Sequence, residues 1–181
     1  MVQPKSKEKK SNGSDAIALL KADHRKVEEW FEQFEKARDD VRKQTLATKI
    51  CNALKVHMMI EEEIFYPAFL EATEEEDTHH EAVVEHSGAK KLIAEIEEGG
   101  PDDDYFDAKV VVLSEMIKHH VKEEEGPGGM FTVARDSDMN LEELGKILAA
   151  RKAELEEDID DMPRGEPPGR DGGRPASSAD S

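Results

Sequence analysis

Between Asp15 and Glu125 the apolar residues recur at steps of three and four, the spacing that lays one stripe along an α-helix, with little of the alternation a strand would show. Four long helices follow from this pattern. The first is predicted from about Asp15 to near Arg38, with Ser14 placed to cap it and a stripe of Ile17, Leu20, His24, Val27, Phe31 and Phe34. The second runs from about Asp40 to Phe65 and is expected to stop at Pro67; its stripe passes through Ile50, Leu54, His57, Glu61 and Ile64. The third, from about Asp77 to Glu98, carries Ala82, His86, Ala89, Ile93 and Ile96 and ends at Gly99-Gly100-Pro101. The fourth, from about Asp102 to Glu125, carries Phe106, Val110, Leu113, Ile117, His120 and Glu124 and ends at Gly126-Pro127-Gly128-Gly129.

A fifth, shorter helix is expected around Leu141 to Glu156, lying against the others or projecting from them. The polar start and the Pro-, Gly- and Ser-rich end from about Met162 carry too little apolar surface to offset chain entropy and are expected to be disordered. The predicted architecture is therefore all-α: an up-down four-helix bundle over residues 14–133, a short accessory helix within 134–161, and disordered tails at 1–13 and 162–181.

The polar residues inside the stripes point to chemistry. Each long helix has one histidine on its apolar face: His24, His57, His86 and His120. In the second and fourth helices a glutamate follows four residues later, giving His57-Met-Met-Ile-Glu61 and His120-Val-Lys-Glu-Glu124, and that spacing puts both side chains on one face. His119 and Glu123 form a competing pair in the fourth helix. His120 and Glu124 are preferred because they share the stripe of Leu113 and Ile117, whereas His119 lies about 100° round the helix. Burying six ionisable groups in an apolar seam costs several kcal/mol for each unpaired charge, and a shared cation removes the difficulty. Bundles that hold two metals do this with ligands projecting inward from facing helices.

Composition narrows the choice. With 43 acidic against 25 basic residues the chain carries a formal charge of −18, which disfavours nucleic acid and anionic membrane surfaces as partners. No run approaches the roughly 18 apolar residues of a membrane span, and the basic start is not followed by the apolar segment of a secretory signal, so a cytoplasmic location is expected. The single cysteine, Cys51, excludes an intramolecular disulfide and a thiolate cluster and reads as a small packing residue. A metal here would be held by nitrogen and oxygen, a set that suits iron, manganese or zinc.

The order His, His-x-x-x-Glu, His, His-x-x-x-Glu, with Glu-Glu-Glu-Ile-Phe-Tyr-Pro at 61–67, Glu85-His86, the opening Asp15-Ala-Ile-Ala-Leu-Leu-Lys-Ala-Asp-His24 and the run His119-His120-Val-Lys-Glu-Glu-Glu125, resembles the hemerythrin-like, or HHE cation-binding, domain over about residues 14–133. The resemblance implies two non-haem irons bridged by Glu61 and Glu124, with His24, His57, His86 and His120 as terminal ligands. It further implies that the protein binds or reacts with oxygen, peroxide or nitric oxide. A departure from the oxygen carriers is the missing fifth histidine: the positions four before and four after His86 are Ala82 and Lys90. Glu28, Glu62, His79, Glu81 and Glu85 are candidates to complete the site. The gap favours peroxide or nitric-oxide chemistry, or iron sensing, over stable oxygen carriage. If the protein is an enzyme, a peroxide-decomposing oxidoreductase is expected; the alternative is a carrier or sensor without turnover. No phosphate loop or nucleophile signature accompanies the pattern.

Overall fold

The computed structural model describes residues 15–161, which are helical almost throughout. Helix α1 spans Ala16–Lys36, and its cap is Asp15, whose carboxylate accepts from the Ala18 amide; the expected cap Ser14 lies outside the described residues. Helix α2 spans Asp40–Ile60, with Asp39 capping through the Arg42 amide. Helix α4 (Glu76–Gly99) and helix α5 (Phe106–Glu125) complete a ring in which α1 packs on α2 and α5, and α4 packs on α2 and α5. The start of α5 falls four residues later than expected. A 3₁₀ turn occupies Gly100–Asp102, and Asp103 accepts from the Tyr105 amide, so the acidic run serves the turn and not the first helical turn.

Pro67 does not stop the second helix. A wide π-turn at Glu61–Phe65, in which the Tyr66 amide bonds back to the Glu61 carbonyl, is followed directly by helix α3, Tyr66–Thr73. Pro67 sits at the opening of α3, directly after the widened turn, and the helix continues past it. The turn also shifts the register: Ile64, expected in the stripe, is only partly buried, while Phe65 and Tyr66 are fully buried in its place.

Two further elements cover the bundle. Helix α6, Met130–Asp136, which the sequence reading did not anticipate, buries Met130, Phe131 and Ala134. Its return over the bundle depends on Gly129, where a side chain would collide with the carbonyls of Glu123 and Glu124. Helix α7, Leu141–Asp161, is longer than the short helix expected and packs along α1, α2 and the π-turn. Leu148 and Leu155 are its buried anchors, and Arg151 pairs with Glu63.

The apolar core is divided in two. One cluster gathers Val27, Phe31, Leu54, Met58, Ile93, Leu113 and Ile117; the other gathers Ile17, Leu20, Ile60, Phe65, Tyr66, Phe131 and Leu148. All four stripe histidines fall between residues of the first cluster and residues of the second, so the polar groups form a layer between two apolar ones. Cys51 is buried in the first cluster, and burial pushes its thiol up to about 12, in keeping with a packing role.

Candidate metal centre

His24, His57, Glu61, His86, His120 and Glu124, contributed by α1, α2, the π-turn, α4 and α5, are all at most 4% exposed and all face one another. His119 and Glu123, the competing pair, are 62% and 46% exposed. The choice of register by the Leu113 and Ile117 stripe therefore matches the placement of the side chains.

The histidines meet in two pairs. His24 and His57 bring their Nε2 atoms to 3.0 Å, and His86 and His120 bring theirs to 3.2 Å. The carboxylates cross between the pairs. Glu61 has Oε1 3.3 Å from His57 Nε2 and Oε2 3.4 Å from His86 Nε2. Glu124 has Oε2 3.4 Å from His24 Nε2 and Oε1 3.5 Å from His120 Nε2. Donor atoms bound at 2.0–2.2 Å to one cation stand roughly 3 Å apart when adjacent, so these spacings resemble the edges of two coordination shells sharing both carboxylates.

Each outer nitrogen faces an acid that fixes the ring. His24 Nδ1 lies 2.8 Å from Glu125, His86 Nδ1 lies 3.0 Å from Glu62, and His120 Nδ1 lies 2.7 Å from Glu85. His57 Nδ1 is 3.6 Å from Asp23, too far for a hydrogen bond and close enough for charge attraction. Three of these acids are anchored by fixed cations: Glu125 by Arg25 and Lys21, Asp23 by Lys152 of α7, and Glu62 by Lys90. On the fourth, Glu85, the partner is His119, at 3.3 Å. A carboxylate on Nδ1 turns the Nε2 lone pair inward, the arrangement that supports a metal-bound imidazole.

The electrostatics show why this cluster suits a cation. Burial works to lower His57, but Glu61, Asp23 and Glu124 overcome it and push it up to about 10; His120, likewise buried, is raised to about 9 by Glu124, Glu85 and Glu61. Their neighbours move the other way: burial and the charge of His57 take His24 down to about 4, and burial and His120 take His86 to about 4 against the pull of Glu61. Within each Nε2 pair, then, one imidazole is pushed up and the other down. Burial tends to raise Glu61, yet the surrounding histidines draw it to about 2, whereas burial and the charge of Glu61 push Glu124 up to about 8. Glu61 Oε1, Glu124 Oε2 and His57 Nδ1 are buried without a hydrogen-bond partner. Two cations in place of the protons on His57, His120 and Glu124 would satisfy the inward donors, so the donor set fits the group.

Tyr66 is the residue the sequence reading missed. Its hydroxyl lies 3.2 Å from His86 Nε2 and 3.3 Å from both Glu61 Oε2 and Glu124 Oε1, in contact with both shared carboxylates. In a regular helix Tyr66 would sit about 140° round from Glu61, and the π-turn brings it to the same face. Pro67 within an otherwise helical run was the available signal. Burial and the charges of Glu61 and Glu124 raise its phenol far above the ordinary value, so it keeps its proton.

The other candidates for a fifth ligand lie elsewhere. Glu28 pairs with Arg25, Glu62 and Glu85 hold outer nitrogens, Glu81 lines a surface pocket, and His79 stands edge-on to the Tyr66 ring at 5.8 Å. On the side away from Tyr66 a small cavity beside the histidines is lined by Val27, Leu54, Met58, Ile117 and Val121. Phe131 of α6 stacks on His24 at 5.9 Å. Met59 is exposed, and Trp30 is partly buried under Lys26.

Comparison with known proteins agrees with this picture. The family model described as hemerythrin HHE cation binding domain matches residues 15–127. Among solved structures the chain is similar to a hemerythrin HHE cation binding domain-containing protein from Mycobacterium kansasii, at a TM-score of 0.66 and 19% identity, covering 80% of this chain and 89% of that one. At that identity the likeness shows the fold. No curated protein matches. Among the described residues no helix is long and apolar enough to cross a membrane.

Proposed function

The chain belongs to the hemerythrin HHE cation-binding domain family, and from that premise we propose that the buried centre holds two iron ions, and that the loaded protein binds or reacts with oxygen, peroxide or nitric oxide. A cytoplasmic role in oxidative or nitrosative stress, or in iron homeostasis, belongs to the same proposal. The observation that carries it is the crossed seating of Glu61 and Glu124, each with one oxygen toward each histidine pair. His24 and His57 would hold one ion and His86 and His120 the other. The same donors accept manganese or zinc, which elemental analysis distinguishes.

Bound iron would supply Lewis acidity and redox capacity to a small ligand. The chain supplies the rest. Glu125, Asp23, Glu62 and Glu85 hold the imidazole rings in orientation. Val27, Leu54, Met58, Ile117 and Val121 form the apolar wall of the small cavity that the four histidines and Asp23 close on the other side. Tyr66 holds a proton on its hydroxyl on the other side, within reach of both carboxylates. A second reading, favoured on its sensing side by the absence of a histidine four residues before or after His86, is a carrier or sensor of oxygen or nitric oxide without turnover.

Peroxide separates the two. Iron-loaded protein is expected to evolve oxygen from added peroxide, and Tyr66→Phe, which leaves all six donors in place, is expected to keep its iron while slowing that reaction by at least about tenfold. A coloured adduct that forms and reverses with oxygen, without peroxide decomposition, would favour the carrier. Equal rates in the wild type and Tyr66→Phe would remove Tyr66 from the chemistry.

A further inference from the structure

Of the four acids that hold the imidazole rings, three are anchored by lysine or arginine and one is not. Glu85 shares its carboxylate between His120 Nδ1 of the buried centre, at 2.7 Å, and His119 Nε2 at the surface, at 3.3 Å. His119 in turn lies 3.4 Å from Glu123 Oε1, so one ligand atom from each of Glu85, His119 and Glu123 falls within 4.8 Å of the others. These three residues line an open surface pocket with His80, Glu81 and Val84. Where the other arms end in a fixed positive charge, this one ends in an imidazole, a donor that a transition cation can take up.

The His-x-x-x-Glu spacing of the inner centre recurs one residue out of phase on the outer face of α5. His120 and Glu124 face inward and His119 and Glu123 face outward, and Glu85 touches the outer nitrogen of His120 as well as His119. We propose that Glu85, His119 and Glu123, with His80 and Glu81 at the rim, form a solvent-facing site for a divalent transition cation, from which ions pass by way of Glu85 to the buried centre. The inference rests on the reading of that centre as a metal site. The chain's charge of −18 draws cations to its surface, and this pocket adds nitrogen donors that an ordinary acidic patch lacks. The two apolar clusters close the centre above and below, so an ion reaches it along the polar layer, where Glu85 is one of the acids between the histidines and solvent.

His119 and Glu123 are exposed, so the double substitution His119→Ala with Glu123→Gln leaves the packed interior untouched, which circular dichroism checks. Protein loaded with iron and then dialysed free of exchangeable iron, so that only the buried centre is filled, is titrated with Co²⁺ in equilibrium dialysis. The wild type is expected to take up about one further cobalt per chain and the double variant none, with the iron already bound unchanged. Equal cobalt uptake by the two proteins overturns the site. Uptake of Fe²⁺ by metal-free protein is then followed in time; the variant is expected to load about tenfold more slowly and to reach the same final content. Equal loading rates overturn the relay. Were the wild type itself to retain no iron, the reading of the buried centre would be at fault, an outcome distinct from both.

Discussion

Glu61→Ala is expected to empty the centre of metal. Glu61 is fully buried and reaches His57 with one oxygen and His86 with the other, so its loss breaks both coordination shells at once. Loss of a group that merely orients a ligand lowers metal affinity by about 10–100-fold, and loss of a shared ligand should exceed the top of that range. Elemental analysis after dialysis is therefore expected to fall from about two irons per chain to a small fraction of one. The natural control is Glu63→Ala. Glu63 stands two residues away on the same π-turn but is exposed and bound to Arg151 of α7, and its variant should keep the iron. An iron content unchanged in Glu61→Ala would mean that the six side chains do not hold it.

Removing the metal is expected to lower the melting temperature by about 10–20 °C. Ligand binding at a free concentration 100-fold above the dissociation constant contributes about 2.7 kcal/mol per ion, or about 5 kcal/mol for two, and a chain of this size shifts by about 2–4 °C for each kcal/mol. The metal-free centre holds protons instead and leaves Glu61 Oε1 and Glu124 Oε2 buried without partners. Those protons give the effect a pH dependence whose sign can be worked out. His57, held up to about 10, His120, held up to about 9, and Glu124, pushed up to about 8, are protonated in the metal-free fold at neutral pH, so ions entering must displace protons. Raising the pH toward those values frees the nitrogens, and affinity should climb between about pH 6 and pH 9, with metal loss on acidification. Calorimetry of metal-saturated and chelator-treated protein across that range tests both parts. A melting temperature indifferent to chelation would contradict the account.

The four bundle helices and all six inward side chains were legible in the sequence because they obey one rule: a residue on the stripe of a regular helix faces the core. His120 and Glu124 could be told from His119 and Glu123 on that rule alone. The rule failed where the helix stopped being regular. Pro67 reads as a terminator when a helix is assumed to be α throughout; the chain instead widens to a π-turn and continues, which exchanges Ile64 for Phe65 and carries Tyr66 into the centre. Helix α6 escaped because a seven-residue segment after a Gly-Pro-Gly-Gly turn is too short to establish a period, and its burial of Phe131 against His24 comes from tertiary packing. The arms behind the histidines were invisible for a similar reason. Lys152 reaches Asp23, and Arg25 and Lys21 meet Glu125, across large separations in the chain that no local spacing encodes.

Diffraction from crystals of iron-loaded protein, recorded on either side of the iron absorption edge, tests the central claim most directly. Two anomalous peaks are expected in the layer between the apolar clusters, one against His24 and His57 and the other against His86 and His120, each touching both Glu61 and Glu124. A map with no iron peak there, or with iron only at surface carboxylates, would contradict it.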